Sequence, residues 1–206
     1  MHIPKTGGNS ITAALRSAWA RKPLSERLVV RIRLAGKGPA AVRRFHKHAK
    51  ARDIHAVVGE HAWHDHFSFA VVRNPWDLMV SSYHWWLNRA DRWKSLQTDA
   101  QAVAALGSFP RFVDSPYGRE RINEQLGNFR DWICDAEGRV LIDNICRFER
   151  LEEDWQGIAT QLGIQVDLPH LNRGNRVAYR DYYDGPSKQI IAERFAWAID
   201  CFEYRY

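Results

Sequence analysis

Apolar and polar positions divide the chain into helical and extended stretches. Ile11, Leu15 and Trp19, with Ala14 and Ala18, recur at the spacing of one helix face and predict a helix starting directly after Gly7-Gly8. "HAVVG" (55–59) is short and β-branched and reads as a strand; "FSFAVV" (67–72) reads as another, ending abruptly at Arg73. Asn74-Pro75 then has the form of a helix cap with proline in the first turn, and Asp77 stands where an acid complements the helix dipole. Trp76, Met79, Val80, Tyr83 and Leu87 share one face of the helix that follows. "RVLIDNICRF" (139–148) reads as a further buried strand. Trp155, Ile158, Ala159 and Leu162 predict a helix stopped by Gly163, and a last amphipathic helix is predicted from about Ser187 to Ile199.

Strands alternating with helices make α/β the expected class, with a mainly parallel sheet flanked by helices in a single domain over 1–206. A chain of 206 residues can bury a core that needs neither disulfides nor metals. Its three cysteines are too few and too scattered for a disulfide framework, although a Cys134–Cys146 bridge stays open. No apolar run approaches the ~20 residues that span a bilayer, and the N-terminus lacks the regions of a signal peptide. The expected location is therefore cytoplasmic. The net charge of +6 asks for an anionic partner: a nucleotide, a nucleic acid, a polyanionic glycan or a membrane surface. The basic residues of 21–52 enclose a single aromatic, Phe45, and form no recognised binding motif, so nucleic acid is not expected; a basic nucleic-acid module stays an alternative.

In a parallel sheet, ligands bind beyond the carboxyl ends of the strands. Two junctions there carry phosphate chemistry. In Lys5-Thr6-Gly7-Gly8-Asn9-Ser10 the glycines let backbone N–H groups close around an anion, and the next helix N-terminus adds its dipole. Lys5 brings a point charge, and Thr6, Asn9 and Ser10 bring neutral hydrogen bonds. At the second junction, Arg73 can fork onto a phosphate while the Ser81 hydroxyl reaches the same group. Lys5 precedes the glycines, so this is not a Walker A loop. A P-loop kinase or nucleotidase is the enzymatic alternative, without a clear magnesium-holding aspartate at a strand end.

"HIPKTGGNSI" followed by "FAVVRNPWDLMVSSYHW" resembles the sulfotransferases that use 3′-phosphoadenosine 5′-phosphosulfate, in their carbohydrate-type and bacterial branch. "IDNICRFERLEEDWQGIATQLGI", "LPHLNRGNRVAYRDYYD" and "AIDCFEYRY" continue the likeness. It implies a P-loop-NTPase-like fold. It also implies a donor site in which Lys5 meets the leaving phosphate, Thr6, Gly7, Gly8, Asn9 and Ser10 wrap the 5′-phosphate, and Arg73 and Ser81 hold the 3′-phosphate. The first strand normally supplies more residues before the loop than Met1, His2 and Ile3, so a shortened strand is expected there. The glycine-rich adenine loop of the cytosolic phenol and steroid branch is absent.

Sulfuryl transfer needs an in-line nucleophile and a stabilised leaving group, and no metal if cationic side chains neutralise that group. The acceptor hydroxyl calls for a general base. In "VVGEHAWHDHF" the resemblance implies His61, with Glu60 as the alternative. His61, His64 and His66 match no zinc spacing, so no metal site is expected. Arg176 and Tyr179, with Asn172, Arg180 and Tyr183, are candidates to close the nucleotide site or to line the acceptor groove. Residues 84–136 are expected to form helices and loops on the acceptor side, where Trp85, Trp86 and Trp93 could stack on sugar rings. The acceptor is a carbohydrate on this reading, and the oligomeric state stays open.

Overall fold

The computed structural model describes residues 1–21, 45, 48–88, 96–121, 128–171 and 177–206. The elements run in the order α1 (Gly8–Arg21), α2 (Ala51–Val58), α3 (Glu60–His64), β1 (Phe69–Val72), α4 (Pro75–Leu87), α5 (Gln97–Ala105) and α6 (Phe109–Asp114). After these come α7 (Phe129–Ile133), β2 (Asn144–Arg147), α8 (Leu151–Gln161), α9 (Gly185–Arg194) and α10 (Ala196–Phe202). The described chain is mixed α/β and mostly helical, and β1 pairs with β2 in parallel, Phe69 opposite Asn144 and Val72 opposite Arg147. It divides into two compact units, Met1–Val72 with Asp131–Arg173 and Arg73–Arg130 with Gly174–Tyr206. No described helix is long and apolar enough to cross a membrane.

The first unit is built on the short sheet. Ile11 and Ala14 of α1, Val71 of β1, Cys146 of β2, and Trp155, Ile158 and Ala159 of α8 bury one another, with Leu168 closing the cluster. Each helix contributes residues three or four apart, the spacing of a single face. Three acids, Glu152, Glu153 and Asp154, fill the first turn of α8 and complement its dipole. The helix ends in a Schellman motif: Gly163 takes φ 64°, its N–H donates to the Thr160 carbonyl, and the Ile164 N–H reaches back to Ala159. At the amino end of the strands, the Ser68 N–H and hydroxyl both donate to Asp143 Oδ2 at 2.7 Å. These bonds hold the Asp143 carboxyl below its ordinary range. Met1–Ile3 lies beside β1, with the Met1 nitrogen donating to the Phe69 carbonyl and Ile3 fully buried.

In the second unit, α4 is the central helix. Pro75, Trp76, Leu78, Met79, Val80, Ser82, Tyr83 and Trp86 are all buried. Tyr83 packs its ring against Phe109 and Phe112 of α6, at 5.6 and 5.1 Å between centroids. Asp184 caps α9 through a capping box with Ser187.

Three expectations are corrected here. "HAVVG" is not a strand: it is the end of α2, stopped by Gly59 at φ 82°. Read from Ala51, the inward positions Ala51, Ile54, His55 and Val58 follow the helical period, and the β-branched Val57 faces solvent. The strand expected over 139–148 shrinks to Asn144–Arg147, preceded by an isolated antiparallel bridge between Cys134 and Val140. The single C-terminal helix is two, because Phe195 leaves helical geometry to bury its ring against Phe129. Trp19 also leaves the α1 stripe and is 40% exposed. The three cysteines are free thiols.

Ile158 is the apolar centre of the first unit, and truncation there leaves a void that the cluster fills poorly. Ile158→Ala is expected to lower stability by about 2–5 kcal/mol, measured as a shift in the denaturation midpoint without a change in slope.

Candidate active site

The turn Pro4–Gly7 carries the chain from the buried Ile3 into α1. Lys5 (φ 65°) and Gly7 (φ 83°) both occupy the left-handed region. A Cβ on Gly7 would lie 2.7 Å from Leu151 Cδ2 and 3.3 Å from Phe148 Cδ2; one on Gly8 would lie 2.1 Å from His2 Nε2. Gly7 is thus favoured by its left-handed backbone, and side chains close over both glycines. Thr6 is buried and its hydroxyl donates to the Ile3 carbonyl at 2.8 Å, so this side chain fastens the loop from within. Ser10 is also buried, its N–H donating to the Gly7 carbonyl at 2.9 Å and its hydroxyl accepting from Leu171 N–H at 3.3 Å. Asn9 is exposed and Lys5 half-buried. The first turn of α1 holds no acidic residue. Its dipole therefore keeps its attraction for an anion.

The second junction lies where β1 runs into α4. Asn74 Oδ1 accepts from the N–H groups of Trp76 and Asp77, at 3.1 and 3.4 Å, and its amide donates to the Arg205 carbonyl. Arg73, its side chain 6% exposed, donates through Nε and Nη2 to Asp77 Oδ2 at 2.8 and 2.6 Å. Sequence reasoning took Asp77 as a dipole partner; it is also the clamp that sets the guanidinium plane. Ser81 is half-buried one turn beyond, on the same face as Asp77. Tyr179 opens a 3₁₀ turn, Tyr179–Tyr182, packed in this same unit. Its ring lies 5.9 Å from that of Tyr206, which contacts Trp76 at 5.5 Å. Just after the turn, the Tyr183 hydroxyl donates to the Trp76 carbonyl at 2.8 Å, and burial raises its phenol pKa. Arg73, Ser81 and Tyr179 are thereby brought into one unit. Arg176, Asn172 and Trp93 lie outside the described residues.

Glu60 and His61 open α3. Glu60 accepts from His64 Nε2 and His55 Nε2, each at 2.8 Å, and these bonds hold its carboxyl below the ordinary range. The His61 side chain is 95% exposed, 3.4 Å from Asp65. Trp63 anchors α3 by donating to the Leu141 carbonyl at 3.0 Å, and four residues after α3 the chain enters β1. This places α3 at the amino end of the strands, whereas Phe148 and Leu151, which touch Gly7, follow the carboxyl end of β2. The intervening strands of four residues span about 13 Å. Among the described residues, no group of three His, Cys, Asp or Glu side chains could hold a metal ion. Trp86 is buried and Trp85 half-buried, their rings edge-on at 4.9 Å.

Two histidines escaped the sequence reading. His2 covers Gly8, and its carbonyl accepts from His48 Nδ1 at 2.7 Å. His84 Nε2 lies 2.8 Å from the Tyr182 hydroxyl. The signal for His84 was its place three residues after Ser81 on a helix.

No curated protein and no solved structure matches this chain. The sequence pattern of the Sulfotransferase family matches it over residues 1–196, which takes in the Lys5–Ser10 loop, the Arg73–Ser81 junction and both strands. The chain therefore belongs to the sulfotransferase family, whose members move sulfuryl groups.

Proposed function

We propose that this chain transfers a sulfuryl group from 3′-phosphoadenosine 5′-phosphosulfate to a carbohydrate hydroxyl, or less readily an amine, on a P-loop-NTPase-like framework. The supporting observation is the donor loop itself. Gly7 and Gly8 permit a tight turn into an acid-free helix N-terminus, and Lys5 sits within that turn. The donor supplies the sulfuryl group and a phosphate leaving group. Lys5 would neutralise that phosphate, with the main chain of Thr6–Ser10 and the Asn9 side chain around it. Arg73, steadied by Asp77, and Ser81 would hold the 3′-phosphate, with Tyr179 and Arg176 closing over the nucleotide. A cationic cradle of this kind makes a metal unnecessary. The 84–136 segment, with Trp85 at its start, would face the acceptor.

For the base we propose His61 on the resemblance alone, since α3 lies at the amino end of the strands and the Gly7 turn packs at the carboxyl end. Glu60 is the weaker choice, because both its oxygens already accept from histidines.

Calorimetry with adenosine 3′,5′-bisphosphate tests the donor site. Binding on the order of micromolar is expected, weakened about 10- to 100-fold in Lys5→Ala and in Arg73→Ala, the range for losing a charge-assisted hydrogen bond. Equal affinity for ATP would return the chain to the kinase or nucleotidase reading. His61→Ala is expected to keep nucleotide affinity and lose turnover by about 10²–10⁴-fold, measured as labelled sulfate transferred to a glycan panel. Full turnover in that variant would hand the role to a group nearer the loop, as the place of α3 at the other end of the strands would then require.

A further inference from the structure

We infer that His84, positioned by the hydroxyl of Tyr182, is a third ligand for the 3′-phosphate of the donor; this rests on the donor reading above. The argument starts from what α4 leaves uncovered. With eight of its residues buried, the polar groups it still presents are Asp77, Ser81 and His84. They stand at i, i+4 and i+7, one stripe along the helix. A helical side chain leans toward the N-terminus, so position 84 is the one from which a side chain on this stripe can reach back toward the Ser81 turn.

Charge supplies the second step. Arg73 and Asp77 are bonded at 2.6 and 2.8 Å and together carry no net charge. A doubly charged phosphate settling against Ser81 therefore needs a donor beyond that pair. An imidazole is the next such group along the stripe.

The third step is rigidity. His84 Nε2 meets the Tyr182 hydroxyl at 2.8 Å, and the two rings stand perpendicular at 5.3 Å. Tyr182 is seated in turn by the edge of Phe109 at 5.8 Å, and its neighbour Tyr183 ties the turn to α4 through the Trp76 carbonyl. His84 binds the ligand; Tyr182 is a positioning residue.

The test compares the affinities of adenosine 3′,5′-bisphosphate and adenosine 5′-monophosphate in the wild-type chain, His84→Gln and Tyr182→Phe. The wild type is expected to prefer the bisphosphate. His84→Gln should cut that preference about tenfold, the effect of one hydrogen bond to a charged group, with monophosphate affinity unchanged. Tyr182→Phe keeps the ring on Phe109 and should cut it by about threefold, in the same sense. A preference untouched by His84→Gln, or a loss of both ligands alike, overturns the assignment while leaving the donor reading standing. Loss in His84→Gln with none in Tyr182→Phe removes the positioning role. A wild type with no preference overturns this inference and the donor reading together.

Discussion

The parallel pairing of Phe69–Val72 with Asn144–Arg147 is the frame on which the first unit is built. Parallel strands end on the same side, so the segments that leave them emerge together. β2 runs at once into Phe148 and Leu151, against which Gly7 packs. The register is held at the opposite end by the bonds between Ser68 and Asp143, and from the flanks by Val71 and Cys146 within the α1–α8 cluster. A one-residue slip would turn Val71 and Cys146 away from that cluster, so burial and hydrogen bonding enforce the same alignment.

Local signals made the two junctions legible. Asn74-Pro75 forms the expected cap, and Gly7-Gly8 forms the expected turn, because each depends on residues within one helical turn of itself. Contacts remote in sequence were not legible. Nothing near Gly8 announces that His2 fills its Cβ position, and nothing near Phe195 announces Phe129 as the ring that draws it out of the helix. The "HAVVG" misreading has a different cause. Five residues taken alone have β-branched character, but the helical period of 51–58 appears only in a wider window. Side-chain roles were the least legible of all. Thr6 and Ser10 suit a phosphate by composition, yet the Thr6 hydroxyl donates to the Ile3 carbonyl and the Ser10 hydroxyl accepts from the distant Leu171 N–H.

Net charge proved a blunt guide for a related reason. The chain carries +6, but at the places of interest its charges answer each other locally: Arg73 with Asp77, and Arg150 with Asp154. Such local matching leaves backbone geometry to concentrate the attraction for anions. At α1 that attraction comes from the helix dipole, undiluted by any acidic side chain.

Lys5 carries a consequence of its own. Its left-handed backbone costs a residue with a β-carbon on the order of 1–2 kcal/mol, and glycine would relax it without penalty. Keeping an ammonium there means accepting local backbone strain in the turn that leads into α1.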